Sequence, residues 1–124
     1  MHKDSDSIFS FKVAQEEIDS SSMLIEAFGE VDLYAAPDFQ EELTRAIDSG
    51  KQHLVVDLSA VTFVDSTTLG VLLSSHKRLG PTDGVLLVCP HGDVRRIFEI
   101  TGLDRVFAMY EYRDDALAAL RAPR

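Results

Sequence analysis

The stretch LVVDLSAVTFVDSTTLGVLL, Leu54–Leu73, decides the fold of this 124-residue chain. HLVVDLS, from His53 to Ser59, is apolar enough to predict a central strand, and a further apolar run ends at Val64. One carboxylate and three consecutive hydroxyls follow: Asp65, Ser66, Thr67 and Thr68. An apolar pattern with helical spacing then begins, so either Asp65 or Ser66 is predicted to cap a helix. The hydroxyls should therefore lie at a helix N-terminus, at the carboxyl edge of a sheet.

The remainder of the chain alternates between strand and helix patterns. Further strands are predicted at Ile8–Val13, Met23–Phe28, Val85–Cys89 and Arg105–Tyr110, with a turn at Glu16–Ser22. Further helices are predicted with Pro37 in the first turn, with Asp93 as a cap, and from Asp114 or Asp115. The order β-β-α-β-α-β-α-β-α implies a mainly parallel α/β sheet with an antiparallel hairpin at one edge.

The composition favours one folded domain that binds neither nucleic acid nor membranes. Hydrophobic residues make up 45% of the chain, enough for one core at this length. The formal net charge of −9 argues against nucleic acid, which needs a basic face, and against anionic lipid surfaces. No apolar run approaches the roughly 20 residues that span a bilayer. We expect a cytoplasmic domain over residues 8–121, a flexible start at residues 1–7 and a tail at residues 122–124.

The usual enzymatic motifs are absent, so we expect no catalysis, no metal and no cofactor. The sequence has no glycine-rich phosphate loop, no GxSxG nucleophile turn and no HExxH. His76 lies on the apolar stripe of the second helix, where we expect a packed, hydrogen-bonded ring. The single cysteine, Cys89, lies in the apolar run VLLVCP, which favours a buried, inert thiol.

Two polar features at strand ends remain to be explained. Asp32, in GEVD, lies where the second strand gives way to a loop, and a solvated turn carboxylate is the plainer interpretation. At Asp65–Thr68, one cap needs only one side chain, so three hydroxyls exceed that need. An exposed hydroxyl there could accept a phosphoryl group, whose roughly −1.5 to −2 charges a helix N-terminus tolerates. Such a group would change one surface patch, which suits a switch in binding.

Three segments of the chain resemble the STAS domain family (sulfate transporter and anti-sigma factor antagonist). LVVDLSAVTFVDSTTLGVLL is similar to the family signature VDLSxVxFxDSSGLGxLL, and GEVDLYAAPDFQEEL is similar to GELDxxTAPxLxxxL. VRRIFEITGLDRVF is similar to VxxxLxxTGLDxxF. The resemblance runs from about Ile8 to Leu120. It implies a small mixed sheet with an N-terminal hairpin and about four helices, mostly on one side.

The same resemblance implies a stand-alone bacterial anti-sigma factor antagonist. In this family the unphosphorylated antagonist binds an anti-sigma factor that is also a serine/threonine kinase, which releases a sigma factor. The kinase then phosphorylates a hydroxyl of DSSG, the antagonist dissociates, and a separate phosphatase resets it. By this resemblance Thr67 is the phosphoacceptor. The resemblance places five residues in the partner-binding patch: Asp32, Asp65, Ser66, Thr67 and Thr68.

The sequence departs from the family signature at two positions. Threonine replaces serine at Thr67, and Thr68 stands where the signature has glycine. We expect the Thr68 side chain to add bulk beside the acceptor, and Ser66 and Thr68 to be alternative phosphoacceptors. A second interpretation is therefore a STAS binding or scaffold module of a signalling assembly that lacks a phosphorylation switch. No oligomeric state follows from the sequence.

Overall fold

The computed structural model describes residues 11–80 and 84–122. The strands are β1 (Lys12–Asp19), β2 (Ser22–Val31), β3 (His53–Val64), β4 (Val85–Val88) and β5 (Ala108–Tyr110). The helices are α1 (Ala36–Asp48), α2 (Ser66–Leu79), α3 (Asp93–Thr101) and α4 (Arg113–Arg121), with a 3-10 turn at Leu103–Arg105. The predicted order of elements is confirmed. The flexible start expected at residues 1–7 and the last two residues of the expected tail lie outside the described residues.

The five strands stand side by side in chain order, from β1 at one edge to β5 at the other. β1 pairs antiparallel with β2, and the three remaining pairs are parallel. The predicted mixed sheet with an antiparallel hairpin at its edge is therefore confirmed. One helix connects the two strands of each parallel pair, as parallel pairing requires a crossover. In the register of β2 and β3, Val31 is opposite Val64, so both strands end at the same edge.

Helices cover both faces of the sheet, three on one face and one on the other. Side chains alternate along β3, so that Leu54 and Val56 face the main core while Val55 faces the smaller one. The main core includes Phe39 of α1 and Phe98 of α3, both fully buried, together with residues of α2. The smaller core packs α4 against the opposite face. This arrangement confirms helices mostly on one side.

An ion pair with one buried partner fastens α4 to the second face of the sheet. Asp57 of β3 is only 3% exposed, and its Oδ2 accepts hydrogen bonds from Arg113 Nε at 3.0 Å and Nη2 at 2.8 Å. Arg113 Nη2 also lies 2.8 Å from Oε2 of Glu26, which is opposite Asp57 in the β2–β3 register. The hydrogen bonds to Asp57 raise the pKa of Arg113. The guanidinium thus joins the first turn of α4 to two strands.

The turn predicted at Glu16–Ser22 is wrong. β1 continues to Asp19, and only Ser20 and Ser21 separate it from β2. Charged residues fit this strand because it is the edge of the sheet, where side chains reach water. Glu17, for example, pairs with Lys51 Nζ at 3.0 Å. The strand predicted to start at Ile8 begins at Lys12 within the described residues; positions 8–10 lie outside them.

β3 is longer than the predicted HLVVDLS and runs unbroken to Val64. The last strand is shorter than predicted and begins at Ala108 rather than Arg105. The residues just before it include the 3-10 turn, which is closed by the Val106 N–H donating to the Leu103 carbonyl at 3.0 Å. A chain that turns in this way cannot be extended there, so β5 is left with three residues.

Two helix starts also differ from the prediction. Gly92 is the N-cap of α3, and Asp93 is its first helical residue, without a side-chain capping bond. Gly92 has φ 152°, a backbone angle that favours glycine, which explains why a carboxylate does not hold that position. α4 starts at Arg113, one residue before Asp114. The acidic residues instead lie in the first turns, where they favour the positive end of the helix dipole.

His76 and Cys89 are packed structural residues, as predicted. His76 Nδ1 accepts a hydrogen bond from the Val85 N–H at 3.3 Å, and its ring lies edge-on to Phe107 with centroids 5.1 Å apart. Burial lowers the pKa of His76. Cys89 is 1% exposed, and burial raises the pKa of its thiol to about 11. Both groups are therefore uncharged at neutral pH.

Candidate functional site

The predicted site residues come together at the carboxyl edge of β2 and β3. Val31 and Val64 are opposite each other at the ends of these parallel strands. Asp32 directly follows the first and Asp65 directly follows the second, and α2 starts at Ser66. The carboxyl edge is where open α/β sheets place their binding sites. Two carboxylates and a helix N-terminus thus share one small surface.

Asp65 caps α2, which decides between the two predicted caps. Its Oδ1 accepts hydrogen bonds from the backbone N–H of Thr67 at 3.1 Å and of Thr68 at 3.3 Å. Its backbone is extended, at φ −124° and ψ −175°, as an N-cap residue should be. Ser66 is the first helical residue, and its side chain is exposed. The cap uses the carboxylate, which leaves all three hydroxyls for other tasks.

The three hydroxyls lie in three different environments. Ser66 is exposed and Thr67 is half-buried, and within residues 11–80 and 84–122 neither hydroxyl has a hydrogen-bond partner. Thr68 is fully buried, and its Oγ1 donates to the carbonyl oxygen of Val31. The expectation that Thr68 crowds the acceptor at the surface is therefore wrong, because its side chain points inward. This burial also closes the Thr68 hydroxyl to a kinase or a partner.

Asp32 organises the turn that leads into α1. Its Oδ1 accepts hydrogen bonds from the N–H groups of Tyr34 and Ala35, both at 3.0 Å. Its backbone carbonyl accepts from Ala35 at 3.1 Å and from Ala36 at 2.9 Å. A turn carboxylate was the plainer of the two predicted interpretations, and its hydrogen bonds confirm that structural role. Contact between Asp32 and a partner stays a prediction.

Three exposed apolar side chains that no sequence motif indicated flank this edge. Leu33 and Tyr34 follow Asp32 in the turn and are 59% and 87% exposed. Phe63, two residues before Asp65 on β3, is 45% exposed. For Leu33 and Tyr34 the available signal was a pair of apolar residues in a predicted loop. Exposed aromatic and aliphatic groups beside a polar centre are typical of protein-binding surfaces.

The structure also holds an open cleft of about 350 Å³ between the end of β3 and the start of α3. Its lining includes Ser59, Thr62, His91 and Asp93, and none of the predicted site residues. Across residues 11–80 and 84–122, no group of three or more His, Cys, Asp or Glu side chains is placed to hold a metal ion. Within the same ranges, every helix is too short or too polar to cross a bilayer.

This architecture is that of a small α/β domain with a polar, hydroxyl-bearing edge at one end of its sheet. The chain belongs to the STAS domain family, whose model matches residues 12–116. The resemblance seen in the sequence is therefore confirmed over almost the whole described chain.

Relatives and solved structures agree with this assignment. The anti-sigma-B factor antagonist of Staphylococcus aureus is 38% identical over 76 residues, which cover 60% of this chain and 70% of that protein. The crystal structure of an anti-sigma factor antagonist from Mycobacterium paratuberculosis has a TM-score of 0.84 at 32% identity, and the match covers 91% of this chain and 96% of that one.

A more distant neighbour is the anti-sigma factor antagonist SpoIIAA. Its unphosphorylated form has a TM-score of 0.71 at 19% identity, over 90% of this chain and all of that one. Its phosphorylated form, from Bacillus, has a TM-score of 0.68 at 20% identity, over 88% of this chain and 99% of that one. At these identities, SpoIIAA supports the fold alone.

Proposed function

We propose that this chain is an anti-sigma factor antagonist whose binding is switched off by phosphorylation of Thr67. In its unphosphorylated form it binds an anti-sigma factor with serine/threonine kinase activity, and this binding releases a sigma factor. The observation that carries the proposal is the placement of Thr67. Its half-exposed hydroxyl lies in the first turn of α2, at the carboxyl edge of the sheet, while Asp65 does the capping.

The names of the relatives support the binding role. Both the Staphylococcus aureus relative and the Mycobacterium paratuberculosis structure are called anti-sigma factor antagonists, and both exceed 30% identity. SpoIIAA, which shares only the fold with this chain, has been solved in unphosphorylated and phosphorylated forms, so this fold is compatible with phosphorylation. The interaction surface we propose is the edge formed by Asp32, Asp65, Ser66 and Thr67, with Leu33, Tyr34 and Phe63 around it. Since Thr68 is buried, we leave it out of this surface.

Of the two accessible hydroxyls, we propose Thr67 as the acceptor. Ser66 is the more exposed, so exposure alone would favour Ser66. The resemblance to the family signature instead selects the second hydroxyl after Asp65, which is Thr67. Ser66 is therefore kept as the alternative acceptor, and the position of the phosphate is a direct outcome of the experiment below.

Electrostatics explain why a phosphate at Thr67 would act on binding and leave the fold intact. A phosphothreonine carries roughly −1.5 to −2 charges, and the helix N-terminus partly compensates them. Asp32 and Asp65 already make this edge acidic. Where the partner surface is acidic and fits closely, this excess of negative charge causes repulsion that costs several kcal/mol. A separate phosphatase would then be needed to restore binding.

The experiment is affinity capture of the native protein from its own cells, with and without added ATP, followed by mass spectrometry. The proposal predicts that a serine/threonine-kinase anti-sigma factor is captured, that ATP releases it, and that the released chain carries phosphate on Thr67. A phosphate on Ser66 would move the acceptor by one residue. Stable capture with no phosphate after ATP would support the alternative function, a binding or scaffold module without a switch.

A further inference from the structure

Thr68 links the two halves of the proposed binding edge through one buried hydrogen bond. Its Oγ1 donates to the Val31 carbonyl, 37 residues earlier in the chain. Thr68 follows the proposed acceptor Thr67, and Val31 precedes Asp32, which organises the Leu33–Tyr34 turn. The hydrogen bond therefore joins the residue after Thr67 to the residue before Asp32. Within residues 11–80 and 84–122, no other side-chain hydrogen bond joins α2 to Val31 or to the turn that follows it.

The backbone of Thr68 is held as firmly as its side chain. Its N–H donates to Asp65 Oδ1 at 3.3 Å, and its side chain is fully buried. The Thr68 hydroxyl also lies 3.5 Å from Asp65 Oδ1, a longer contact than the one with the Val31 carbonyl. The Val31 carbonyl belongs to the peptide group that joins Val31 to Asp32, so its hydrogen bond with Thr68 restrains this peptide group. Asp32 in turn holds the N–H groups of Tyr34 and Ala35 at 3.0 Å.

We propose that Thr68 is a positioning residue that holds the Asp32–Ala35 turn in fixed register with the Thr67 acceptor. The effect of this positioning on partner binding rests on the proposed function. The order that Thr68 gives to the turn is a property of the chain alone. A turn that is already ordered costs less to bind, because less conformational freedom is lost on association. Leu33 and Tyr34 are the exposed groups carried by this turn. The hydroxyl of Thr68 thus fixes the position of Leu33 and Tyr34 relative to Thr67 before a partner binds.

The partner-free test measures amide hydrogen exchange by NMR in the full chain and in Thr68 variants. Thr68→Val keeps the shape and removes the hydroxyl, while Thr68→Ser keeps the hydroxyl. Exchange at Tyr34 and Ala35 should become about tenfold faster in Thr68→Val, as for a lost hydrogen bond of ordinary strength, and should return close to wild type in Thr68→Ser. The Val85 amide, which is bonded to His76, serves as the remote control and should not change.

If Thr68 only stabilises the fold as a whole, Thr68→Val should accelerate exchange at Val85 as much as at Tyr34 and Ala35. That result would overturn the inference. Unchanged exchange at the turn in Thr68→Val would overturn it as well. If Thr68→Val does not fold, Thr68→Ala provides a second hydroxyl-free variant. The wild-type protein offers an independent readout: the Thr68 hydroxyl proton should exchange slowly and show a cross-peak to the Val31–Asp32 backbone. A rapidly exchanging hydroxyl proton would contradict the proposal.

The functional arm uses the kinase recovered in the capture experiment and follows initial rates of Thr67 phosphorylation. Thr68→Val should raise KM about tenfold and leave kcat nearly unchanged, because the acceptor is intact while the turn that contacts the kinase is loosened. Thr68→Ser should restore KM. If the turn loosens as predicted but no kinase modifies Thr67, the proposed function fails and the positioning role stands. If the kinase acts and the turn does not loosen, the positioning role fails alone.

Discussion

Asp65 holds the first turn of α2 through two backbone amides, and the loss of this carboxylate has a predictable cost. Thr67 and Thr68 both donate to its Oδ1. Asp65→Ala should lower the free energy of unfolding by about 1 kcal/mol, the usual contribution of an N-cap. Urea unfolding followed by circular dichroism measures this. Asp65→Asn is the matched control and should retain most of the stability, because asparagine caps equally well.

His76 makes the stability depend on pH between neutral and mildly acidic conditions. Burial lowers its pKa in the folded state, so the unfolded chain binds a proton more readily. The free energy of unfolding should therefore fall as pH drops below the ordinary histidine pKa of about 6.5. Protonation also removes the Nδ1 lone pair that accepts from Val85.

The measurement compares urea unfolding of wild type and His76→Gln at pH 7.5 and pH 5.5. The difference in stability between the two pH values should be smaller in His76→Gln. Equal pH dependence in wild type and His76→Gln would contradict this account of His76.

Helical spacing could have predicted the burial of Thr68, although its partner could not be predicted. Thr68 precedes the fully buried Leu72 by four residues, so both lie on one face of α2. The predicted apolar stripe begins at Leu69 because a hydroxyl residue resembles a cap more than a core position. The acceptor, the Val31 carbonyl, is 37 residues away, and only the β2–β3 register brings it there.

At the scale of elements, α4 depends on its ion pair with the sheet. Arg113→Met would leave the carboxylate of Asp57 buried without its cation, which is unfavourable in a low-dielectric interior. We expect a loss of about 2 kcal/mol in the free energy of unfolding, less than for a fully enclosed pair, since the Arg113 side chain is 37% exposed. Thermal and urea unfolding test this.

The control for α4 is Arg78→Met, which removes an exposed pair with Asp48 at 2.8 Å. Exposed pairs contribute about 0 to 1 kcal/mol, so this variant should remain close to wild type. Similar losses in Arg113→Met and Arg78→Met would contradict the special role of the Asp57 carboxylate.

Hydrophobic periodicity predicted the type and order of the elements, and tertiary context set their ends. β1 extends through Glu16 and Glu17 because an edge strand can expose charges, a property that the local sequence does not show. The start of α3 at Gly92 and Asp93 depends on one backbone angle, φ 152° at the glycine. The pairing of Arg113 with Asp57 spans 56 residues and could not be read from either segment.

At the scale of the whole molecule, burial of Cys89 makes its thiol a reporter of global unfolding. With its pKa raised to about 11 and the side chain 1% exposed, the thiol is protonated and inaccessible at pH 8. Ellman's reagent should modify the folded protein very slowly and the urea-unfolded protein rapidly. Asp65→Ala should speed the reaction about fivefold, because a loss of about 1 kcal/mol raises the unfolded fraction by that factor. Rapid labelling of the folded wild type would contradict this packing.

In the whole molecule, the proposed phosphorylation site lies apart from the hydrophobic core. The edge with Thr67 lies beyond the ends of β2 and β3, while the apolar residues Leu54–Val56 of β3 and all four residues of β4 are buried. A charge added at this edge should therefore alter partner binding without unfolding the domain. Ile100, 76% exposed near the end of α3, lies at the opposite end of the sheet and offers a site for an equal charge change as a control.

The most direct test of the account is the affinity of Thr67 variants for the captured kinase-type anti-sigma factor, measured calorimetrically without ATP. Thr67→Ala should bind as wild type, and Thr67→Glu should bind about a hundredfold more weakly, equivalent to about 3 kcal/mol of repulsion. Ile100→Glu, with the same change in net charge, should bind as wild type. Binding of Thr67→Glu as tight as that of wild type would contradict the phosphorylation switch.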